Sequence, residues 1–207
     1  MTLDMKTYLD FSGSVARKWD SREDMYNAVV PHGGVGAEIG VYNGDNSEKL
    51  ASIVKPSKLK LIDRWMVIGM PDNLRDDHLA RKQNVIDRFA GKCDIEILDM
   101  SSEDASYKIG DQTLDWVFID GNHSYPMALW DLELYLPLVK VGGIVMMHDF
   151  TTQISAGGVI EAVWYHLNKH GDMEVLGKTR EKNKKLLKQP TIALKKTIHK
   201  KIYKTWW

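Results

Sequence analysis

The sequence predicts an α/β fold, a mostly parallel sheet with helices on both faces. Three observations favour it. Short apolar or β-branched runs alternate along the chain with segments of helical length, which is typical of parallel strands joined by right-handed crossovers. A glycine turn, Gly40 to Gly44, leads from the end of the first run into a helical segment. Two later runs, 116–120 and 144–148, end abruptly in ionisable residues, as buried parallel strands do where their carboxyl ends open onto a site.

Seven runs of four to eight residues have the composition of strands. In chain order they are 35–41, 59–63, 94–98, 116–120, 144–148, 173–176 and 191–194. The segments predicted to be helical are 14–30, 45–54, 72–90, 102–108, 124–139 and 157–169. Ser21 and Asp24 offer a cap within the first helical segment. Asp131 and Glu133 are interpreted as the solvated face of the segment 124–139.

Composition indicates a single soluble globular domain. The chain has 207 residues, of which 43% are hydrophobic and 27% are charged. Cys93 is the only cysteine, which excludes an intrachain disulfide and a metal site built from several thiolates. The amino terminus lacks the apolar core of a signal peptide, and no apolar run reaches membrane-spanning length. A cytoplasmic location is therefore expected, and a bound metal would use oxygen or imidazole ligands.

The net charge of zero conceals a strong asymmetry. Residues 178–207 hold eleven Lys or Arg against one acidic residue, a net charge of +10, so residues 1–177 carry −10. This basic segment predicts an anionic partner, although a solvated surface that aids solubility explains it equally well. A four-residue spacing of apolar side chains also allows an amphipathic helix on a membrane surface, formed by Leu194, Ile198, Ile202 and Trp206. The two strands at 173–176 and 191–194 are preferred, with only about the last eight residues helical or loose.

The glycine turn and a later acidic residue indicate a nucleoside-containing cofactor. Gly40 and Gly44 permit close backbone approach, and the helix that follows supplies N–H groups for a carboxylate. Asp63 closes the next strand, where its carboxylate can accept two hydrogen bonds from a ribose diol. The glycines of 33–36 precede or lie within the first strand, so the register does not fit a dinucleotide fingerprint. The phosphate-loop pattern of ATP and GTP hydrolases is absent.

The ends of two neighbouring strands predict a second set of functional residues. Asp120 and His123 follow the run 116–120, and His148 and Asp149 end the run 144–148. Because the carboxyl ends of parallel strands meet at one edge of a sheet, these four side chains should share a small volume. Two carboxylates and two imidazoles are sufficient for a metal and a base. Taken singly, Asp120, His123 or Asp149 could instead cap a helix or turn.

Four motifs in this order resemble the class I S-adenosylmethionine-dependent methyltransferases, which have a Rossmann-like fold with a seven-stranded, mostly parallel sheet. The motifs are EIGVYNG at 38–44, LIDRW at 61–65, FIDGNHSY at 118–125 and VGGI at 141–144 ending in HD at 148–149. More narrowly, they resemble metal-dependent O-methyltransferases of sugars and other small molecules, including macrolide-sugar and rhamnosyl methyltransferases and cephalosporin-hydroxylase-type proteins. The resemblance covers roughly residues 33–165.

The resemblance implies positions for S-adenosylmethionine. Around its methionine part it places Glu38, Gly40 and Gly44, with Tyr42, Asn43 and Asn46 closing over it. Asp63 would hold the ribose hydroxyls, and Met100, Ser101 and Ser102 would flank the adenine. Asp120, His148 and Asp149 would bind one divalent cation, Mg²⁺ in preference to Mn²⁺. His123 would act with Asp120 in catalysis, as the general base. The family's commoner pattern has a carboxylate or an amide where His148 stands.

The predicted organisation is a helical lead-in or lid at 1–32, a methyltransferase domain at 33–197 and a basic aromatic tail at 198–207. The predicted acceptor is a hydroxyl of a sugar or other small molecule, anionic or carrier-linked because the basic connection 180–189 should emerge on the cofactor side. A nucleic-acid methyltransferase is an alternative, disfavoured by the metal-and-base set and by the missing Asn/Asp-Pro-Pro-aromatic motif. A non-catalytic cofactor-binding protein is another. The tail allows peripheral membrane contact, and a homo-oligomer remains open.

Overall fold

The computed structural model describes residues 5–65, 72–151, 157–180 and 189–199. Within these ranges the strands are β1 Lys18–Trp19, β2 Val35–Ile39, β3 Lys58–Asp63, β4 Ile95–Asp99, β5 Leu114–Ile119, β6 Val139–Met147, β7 Met173–Thr179 and β8 Ile192–Lys196. The helices are α1 Met5–Ser14, α2 Arg22–Val29, α3 Asp45–Val54, α4 Asp72–Phe89, α5 Ser102–Ser106, α6 Tyr125–Tyr135 and α7 Gly157–His170, with a 3₁₀ turn at Leu136–Leu138.

The strands form one sheet in the order β1-β7-β8-β6-β5-β2-β3-β4. The run from β6 to β4 is parallel, and β8 is antiparallel to both of its neighbours, β6 and β7. Strand β7 therefore runs in the same direction as β5 and β6, and its carboxyl end lies at the same edge of the sheet. This arrangement confirms the predicted α/β fold of the methyltransferase type and the preference for two strands near the end of the chain.

One strand was missed, because the prediction of a helix over 14–30 is wrong at its beginning. Lys18 and Trp19 form β1, which pairs in parallel with β7 and makes an eighth strand. Its hydrogen bonds continue past the pair, since the amide of Arg180 donates to the carbonyl of Trp19 at 2.7 Å. The indole of Trp19 is buried. Two residues are too few to show an alternating pattern, so only the tertiary pairing makes this segment a strand.

α1, at Met5–Ser14, precedes the first predicted helical segment. The helices from α3 onward lie close to their predicted positions, and α3 matches its prediction at both ends. Ser21 caps α2 as predicted, because its hydroxyl accepts a hydrogen bond from the amide of Asp24 at 3.1 Å. Among the described helices, none combines the length and apolar character that crossing a membrane requires. Most of the basic connection, residues 181–188, and the tail from residue 200 onward lie outside the described residues.

Helices cover both faces of the sheet, and successive strand residues point to opposite faces. On one face Ile39 and Val117 pack with apolar side chains of α6 and α7, including Leu132 and Val163. On the other face Phe118 packs in a second cluster with side chains from α2, α3 and α4, represented by Met25, Leu50 and Val85. The central strands are thus buried on both sides. Polar side chains at their ends are held by a rigid support.

Candidate functional site

The carboxyl ends of the central strands are joined by backbone hydrogen bonds that extend the ladder one residue beyond the strands. The bonds run from the amide of Gly40 to the carbonyl of Ile62 (2.9 Å), from Asp120 to Ile39 (2.8 Å) and from His148 to Ile119 (3.0 Å). Side chains at these ends are therefore fixed by the sheet and not by mobile loops. The predicted grouping of functional residues at this edge depends on that register.

Asp120, His123, His148 and Asp149 meet in one small volume, as the strand ends predicted. The Nδ1 atom of His123 lies 2.6 Å from Oδ2 of Asp149, and its Nε2 atom lies 3.4 Å from Oδ1 of Asp120. The Nδ1 atom of His148 lies 3.2 Å from Oδ1 of Asp149 and 3.4 Å from Oδ1 of Asp120. The side chain of His123 is 36% exposed and that of Asp149 only 2%. The cluster therefore opens to solvent on the His123 side.

The two carboxylates and two imidazoles shift one another's ionisation. Hydrogen bonds to Asp120 and Asp149 raise the pKa of His123 to about 10, against the effect of burial. Burial opposes the charged form of His148, but its carboxylate neighbours raise its pKa to about 9. Burial also opposes ionisation of Asp149, yet contacts with the two imidazoles hold its pKa well below the ordinary value. Hydrogen bonds from the same imidazoles lower the pKa of Asp120 against the effect of burial. At neutral pH both carboxylates are therefore ionised and both imidazoles protonated, so their charges balance.

Two backbone features bring the cluster together. Asp149 has a φ of 55°, a left-handed conformation that Asp tolerates better than most residues and that turns the chain sharply after β6. Gly40 has a φ of 82° and lies directly against the backbone carbonyl of Asp120, where any side chain would collide. The glycine turn after β2 and the acidic end of β5 are thus in contact. A ligand held by one would lie next to the other.

A cleft of about 400 Å³ opens beside the cluster, on the face of the sheet that α6 covers. Five of its lining residues were predicted to bind the cofactor: Gly40, Asp63, Met100, Ser101 and Ser102. Gly121 and Asn122, from the turn between Asp120 and His123, complete the wall nearest the cluster. The cleft therefore extends from the ends of β2, β3 and β4 to the turn between Asp120 and His123.

Asp63 is fixed at the end of β3 before any ligand binds. Its Oδ2 atom accepts a hydrogen bond from the amide of Tyr42 at 2.8 Å, and its Oδ1 atom accepts one from the amide of Trp65 at 2.9 Å. A carboxylate oxygen has two lone pairs, so each can accept a further hydrogen bond. Asp63 is therefore positioned to take two hydroxyl donors. Tyr42 itself is exposed, and the guanidinium of Arg81 lies 4.5 Å above its ring.

Glu38 lies on the opposite face of the sheet from the cleft. Its Oε1 atom accepts a hydrogen bond from Nδ2 of Asn46 at 3.1 Å, and the amide oxygen of Asn46 accepts from Tyr26 at 2.7 Å and from Arg22 at 3.1 Å. Burial raises the pKa of Glu38 to about 7. These contacts join the end of β2 to α2 and α3. Like Glu38, Asn46, Tyr42, Asn43 and Gly44 lie outside the cleft lining, and their assignment to the cofactor stays a prediction.

The interpretation of Asp131 and Glu133 as a solvated helix face is wrong. Asp131 is 3% exposed and lines the cleft beside Gly121, and burial raises its pKa to about 6. Glu133 points instead toward α7. Asp131 and Glu133 belong to a helix, α6, that is apolar on most of its surface. Its sequence therefore has no clear polar face that would show which of its residues are covered by neighbouring elements. Asp131 is a buried acidic residue of the cleft that sequence reasoning missed.

The donors suited to a cation are Asp120, His123 and Asp149, from each of which one ligand atom lies within 4.8 Å of the other two. His148, the predicted third ligand, contacts the same two carboxylates from the buried side. Oδ1 of Asp149 is buried and makes no hydrogen bond among the described residues. The geometry therefore fits a cation at Asp120 and Asp149 and leaves either histidine close enough to complete the set.

Comparisons with known proteins concern the central part of the chain. A family model described as a methyltransferase domain matches residues 37–150, more than half of the chain. A curated relative, an uncharacterized protein of Acanthamoeba polyphaga mimivirus, is 28% identical over 116 residues, which make up 55% of this chain and 50% of that protein. The chain thus spans about half the length of the curated relative it matches.

Solved structures show the same fold at low sequence identity. An rRNA methylase from Streptococcus thermophilus is 14% identical with a TM-score of 0.60, over 86% of this chain and 95% of that one. A proposed methyltransferase from Streptococcus mutans, solved with S-adenosylhomocysteine, is 11% identical with a TM-score of 0.59, over 84% and 95%. A proposed caffeoyl-CoA O-methyltransferase from Staphylococcus aureus is 16% identical with a TM-score of 0.54, over 94% and 85%. These identities support the fold alone.

Proposed function

The chain belongs to the family of methyltransferase domains, and we propose that it is an S-adenosylmethionine-dependent methyltransferase that methylates a hydroxyl oxygen of a sugar or another small molecule. The observation that carries this proposal is the cluster of Asp120, His123 and Asp149 beside the cleft. An aliphatic hydroxyl is a poor nucleophile, so its methylation benefits from a base and from a means of lowering its pKa. The cluster offers both kinds of group.

The residues present fit the cofactor. Gly40 leaves its backbone open to a ligand, and Asp63 directs two fixed carboxylate oxygens toward the same cleft. Met100, Ser101 and Ser102 form the side that follows β4, where a flat, partly apolar group such as adenine would lie. Asp131 adds a buried carboxyl group to this wall. We assign the nucleoside part of the cofactor to this cleft.

The residues also fit a divalent cation. Asp120 and Asp149 are both ionised beside each other, and one buried oxygen of Asp149 has no hydrogen-bond partner among the described residues. Carboxylate oxygens with one imidazole suit Mg²⁺ or Mn²⁺. When bound, S-adenosylmethionine supplies a methyl group on a positively charged sulfur, and the cation would lower the pKa of a chelated hydroxyl.

His123 is the residue we assign to proton removal. Asp149 holds its Nδ1 atom at 2.6 Å and so fixes the ring, while Nε2 has only the longer 3.4 Å contact with Asp120. Hydrogen bonds to Asp120 and Asp149 raise the pKa of His123, so a cation on these two carboxylates would favour the neutral ring. In the neutral ring with Nδ1 protonated, Nε2 would accept the proton of the acceptor hydroxyl. S-adenosylmethionine would supply the methyl group to the acceptor oxygen, and S-adenosylhomocysteine would leave with the electron pair of the broken carbon–sulfur bond. Correct alignment of oxygen and methyl group supplies much of the rate enhancement.

A panel of acceptors with and without chelator tests the proposal. The purified protein would be incubated with S-adenosylmethionine and either free sugars, nucleotide-linked sugars, catechols or RNA, in Mg²⁺ or in EDTA. Methyl transfer to a small hydroxyl compound that EDTA abolishes and Mg²⁺ restores is the expected result. Transfer to RNA alone would overturn the acceptor assignment, and full activity in EDTA would overturn the role of the cation.

The basic segment favours an anionic acceptor, which we include in the proposal. Strand β7 ends at Thr179 at the same edge of the sheet as the cluster, so the connection that follows it starts on the side of the cleft. Residues 180–188 contain five Lys or Arg against one Glu. A phosphate-bearing sugar, nucleotide-linked or lipid-linked, has the charge that this segment would attract. The same positive charge would attract RNA, which is why RNA is included among the acceptors to be tested.

A further inference from the structure

A second cluster of metal-ligating side chains occurs between α6 and α7. Glu133 comes from α6, and His166 and His170 come from α7, one helical turn apart. One ligand atom from each of the three lies within 4.8 Å of the other two. None of these residues takes part in the proposed methyl transfer.

The cluster lies at the opposite edge of the sheet from the methyl-transfer site. Asp172, which contacts His166, immediately precedes Met173, the first residue of β7. It therefore stands at the amino end of a strand, whereas Asp120 and Asp149 follow the carboxyl ends of β5 and β6. A ligand bound here would be separate from the cofactor and the acceptor.

His166 is held in an orientation suited to metal binding. Its ring is fully buried, and its Nε2 atom lies 2.9 Å from Oδ1 of Asp172. If Nε2 donates to this carboxylate, Nδ1 carries the lone pair. Nδ1 is buried, has no hydrogen bond among the described residues and faces Oε1 of Glu133 at 3.8 Å. A carboxylate behind a histidine that orients its free nitrogen is the usual outer arrangement of a histidine metal ligand.

The distances between the donor atoms fit an ion and do not fit direct hydrogen bonds. Oε1 of Glu133 lies 3.8 Å from Nδ1 of His166 and 3.5 Å from Nε2 of His170. Hydrogen bonds between nitrogen and oxygen are about 2.7–3.2 Å long. Ligands of a tetrahedral zinc ion with bonds near 2.1 Å are separated by about 3.4 Å. Both separations from Glu133 are therefore close to those between ligands of one Zn²⁺ ion, and the remaining pair lies within 4.8 Å.

We propose that Glu133, His166 and His170 form a zinc site that clamps α6 to α7. Two imidazoles and one carboxylate are borderline ligands that suit Zn²⁺. The side chains of Glu133 and His170 are 15% and 20% exposed, so a water molecule can reach the fourth position. The zinc ion would have a structural role, because it would join side chains of α6 and α7. The methyl-transfer site lies at the opposite edge of the sheet.

The clamp would also steady the turn that carries His123. α6 begins at Tyr125, two residues after His123. At the start of α7, Gly158 lies so close to the carbonyl of His123 and the amide of Tyr125 that no side chain fits there. The two helices thus contact each other at the turn and at the zinc site, near their opposite ends. Fixing one end restricts their relative movement at the other.

Zinc titration of the chelator-stripped full chain tests the proposal. Zn²⁺ alone should raise the Tm of the wild-type protein by about 5–10 °C at a hundredfold excess over its Kd. The His170→Gln and Glu133→Gln variants should lose most of this rise and bind one zinc fewer per chain, as measured by elemental analysis. His32→Gln, an exposed histidine outside both clusters, is the matched control. His123→Ala should keep the zinc-dependent rise, which separates this site from the methyl-transfer cluster.

Two outcomes would overturn the zinc site. One is a wild-type protein whose Tm and metal content do not respond to Zn²⁺, which would make the cluster an ion-paired contact between helices. The other is an equal response in wild type, His170→Gln and Glu133→Gln. If one of the two variants fails to fold, the other still decides, since both ligands are partly exposed and neither lies in the sheet.

Discussion

His123 and His148 contact the same two carboxylates, but only His123 is open to an acceptor. Its side chain is 36% exposed, against 8% for His148. We therefore expect His123→Ala to lower kcat by about 10²- to 10⁴-fold, the usual contribution of a general base, while the Kd of S-adenosylmethionine changes less than twofold. Single-turnover kinetics and calorimetric titration of the cofactor measure these two effects. His32→Ala, at an exposed position, is the control.

The same pair of histidines offers a result that would reverse their roles. If His148→Ala abolished turnover while His123→Ala left kcat unchanged, the general base would be His148, which directly follows β6. His123 would then be the cation ligand. Loss of cofactor binding in His123→Ala would instead point to a structural role. The proposed assignment requires the loss to appear in kcat with His123→Ala.

Burial of Glu38 should make the free energy of unfolding depend on pH, and this dependence is independent of methyl transfer. The folded-state pKa of Glu38 is raised from 4.5 to about 7 by burial, so the folded protein binds a proton that the unfolded chain releases. The resulting stabilisation is complete below about pH 4.5 and is lost as pH rises through about 7. Between pH 5 and pH 8 the free energy of unfolding should fall by about 2–3 kcal/mol more in the wild type than in Glu38→Gln.

Urea unfolding at the two pH values measures this difference. The comparison is between the slopes of wild type and Glu38→Gln, which removes the titrating group but keeps its size. Glu174→Gln, an exposed position on β7, should leave the wild-type slope unchanged. Equal pH slopes in wild type and Glu38→Gln would show that Glu38 remains ionised in the folded protein.

At the level of elements, the turn after β2 joins the cofactor cleft to the cluster through Gly40. Gly33 and Gly40 both have a positive φ, 74° and 82°, but only Gly40 lies against another backbone segment, that of Asp120. Gly33→Ala should cost about 1 kcal/mol from backbone strain alone. Gly40→Ala should cost at least about 3 kcal/mol, because the collision separates the ends of β2 and β5, and binding of S-adenosylhomocysteine should weaken at least tenfold.

Chemical unfolding measures the stability of the two variants, Gly33→Ala and Gly40→Ala. Calorimetric titration measures their affinity for S-adenosylhomocysteine. Gly33→Ala is the matched control, since it has the same strained conformation and open space around the new methyl group. Similar losses of stability and affinity in both variants would mean that backbone conformation, and not contact with Asp120, accounts for the glycine at position 40.

The sequence predicted the elements whose evidence is local. Residues 116–119 of β5 and 144–147 of β6 are continuous apolar runs. Asp120 and Asp149 could be placed together because parallel strands end at one edge. What it missed depends on distant partners. Lys18 and Trp19 become a strand only by pairing with β7, and Asp131 is buried only because the β4 and β5 ends cover it. The left-handed backbone of Asp149 likewise results from the contacts after β6.

For the whole molecule, the sheet separates two tasks. The methyl-transfer cluster lies at its carboxyl edge. Glu133, His166 and His170 lie at its amino edge, between α6 and α7. α6 connects the two, because it begins beside His123 and contains both Asp131 and Glu133. A displacement of α6 at one edge of the sheet would therefore move the residues that it carries at the other edge. The position of α6 matters to both proposals.

The charge asymmetry of the whole chain predicts how salt should affect catalysis. Residues 178–207 carry +10 and residues 1–177 carry −10, and the basic connection leaves β7 on the cleft side. Attraction between exposed charges is largely screened beyond about 8 Å at 0.15 M salt. Raising NaCl from about 50 to about 300 mM should thus increase KM for a nucleotide-linked sugar several-fold with little change in kcat. KM for the corresponding neutral methyl glycoside should stay constant.

Initial rates over this salt range with the two acceptors test the role of the connection. A Lys184→Gln/Lys185→Gln double variant should raise KM for the charged acceptor at low salt and weaken its salt dependence. Lys195→Gln removes a charge from the same basic segment at an exposed position on β8 and should behave like wild type. If salt changed KM equally for both acceptors, or equally in both variants, the basic connection would be a solvated surface. The acceptor would then be selected by the cleft and by the carboxylate cluster alone.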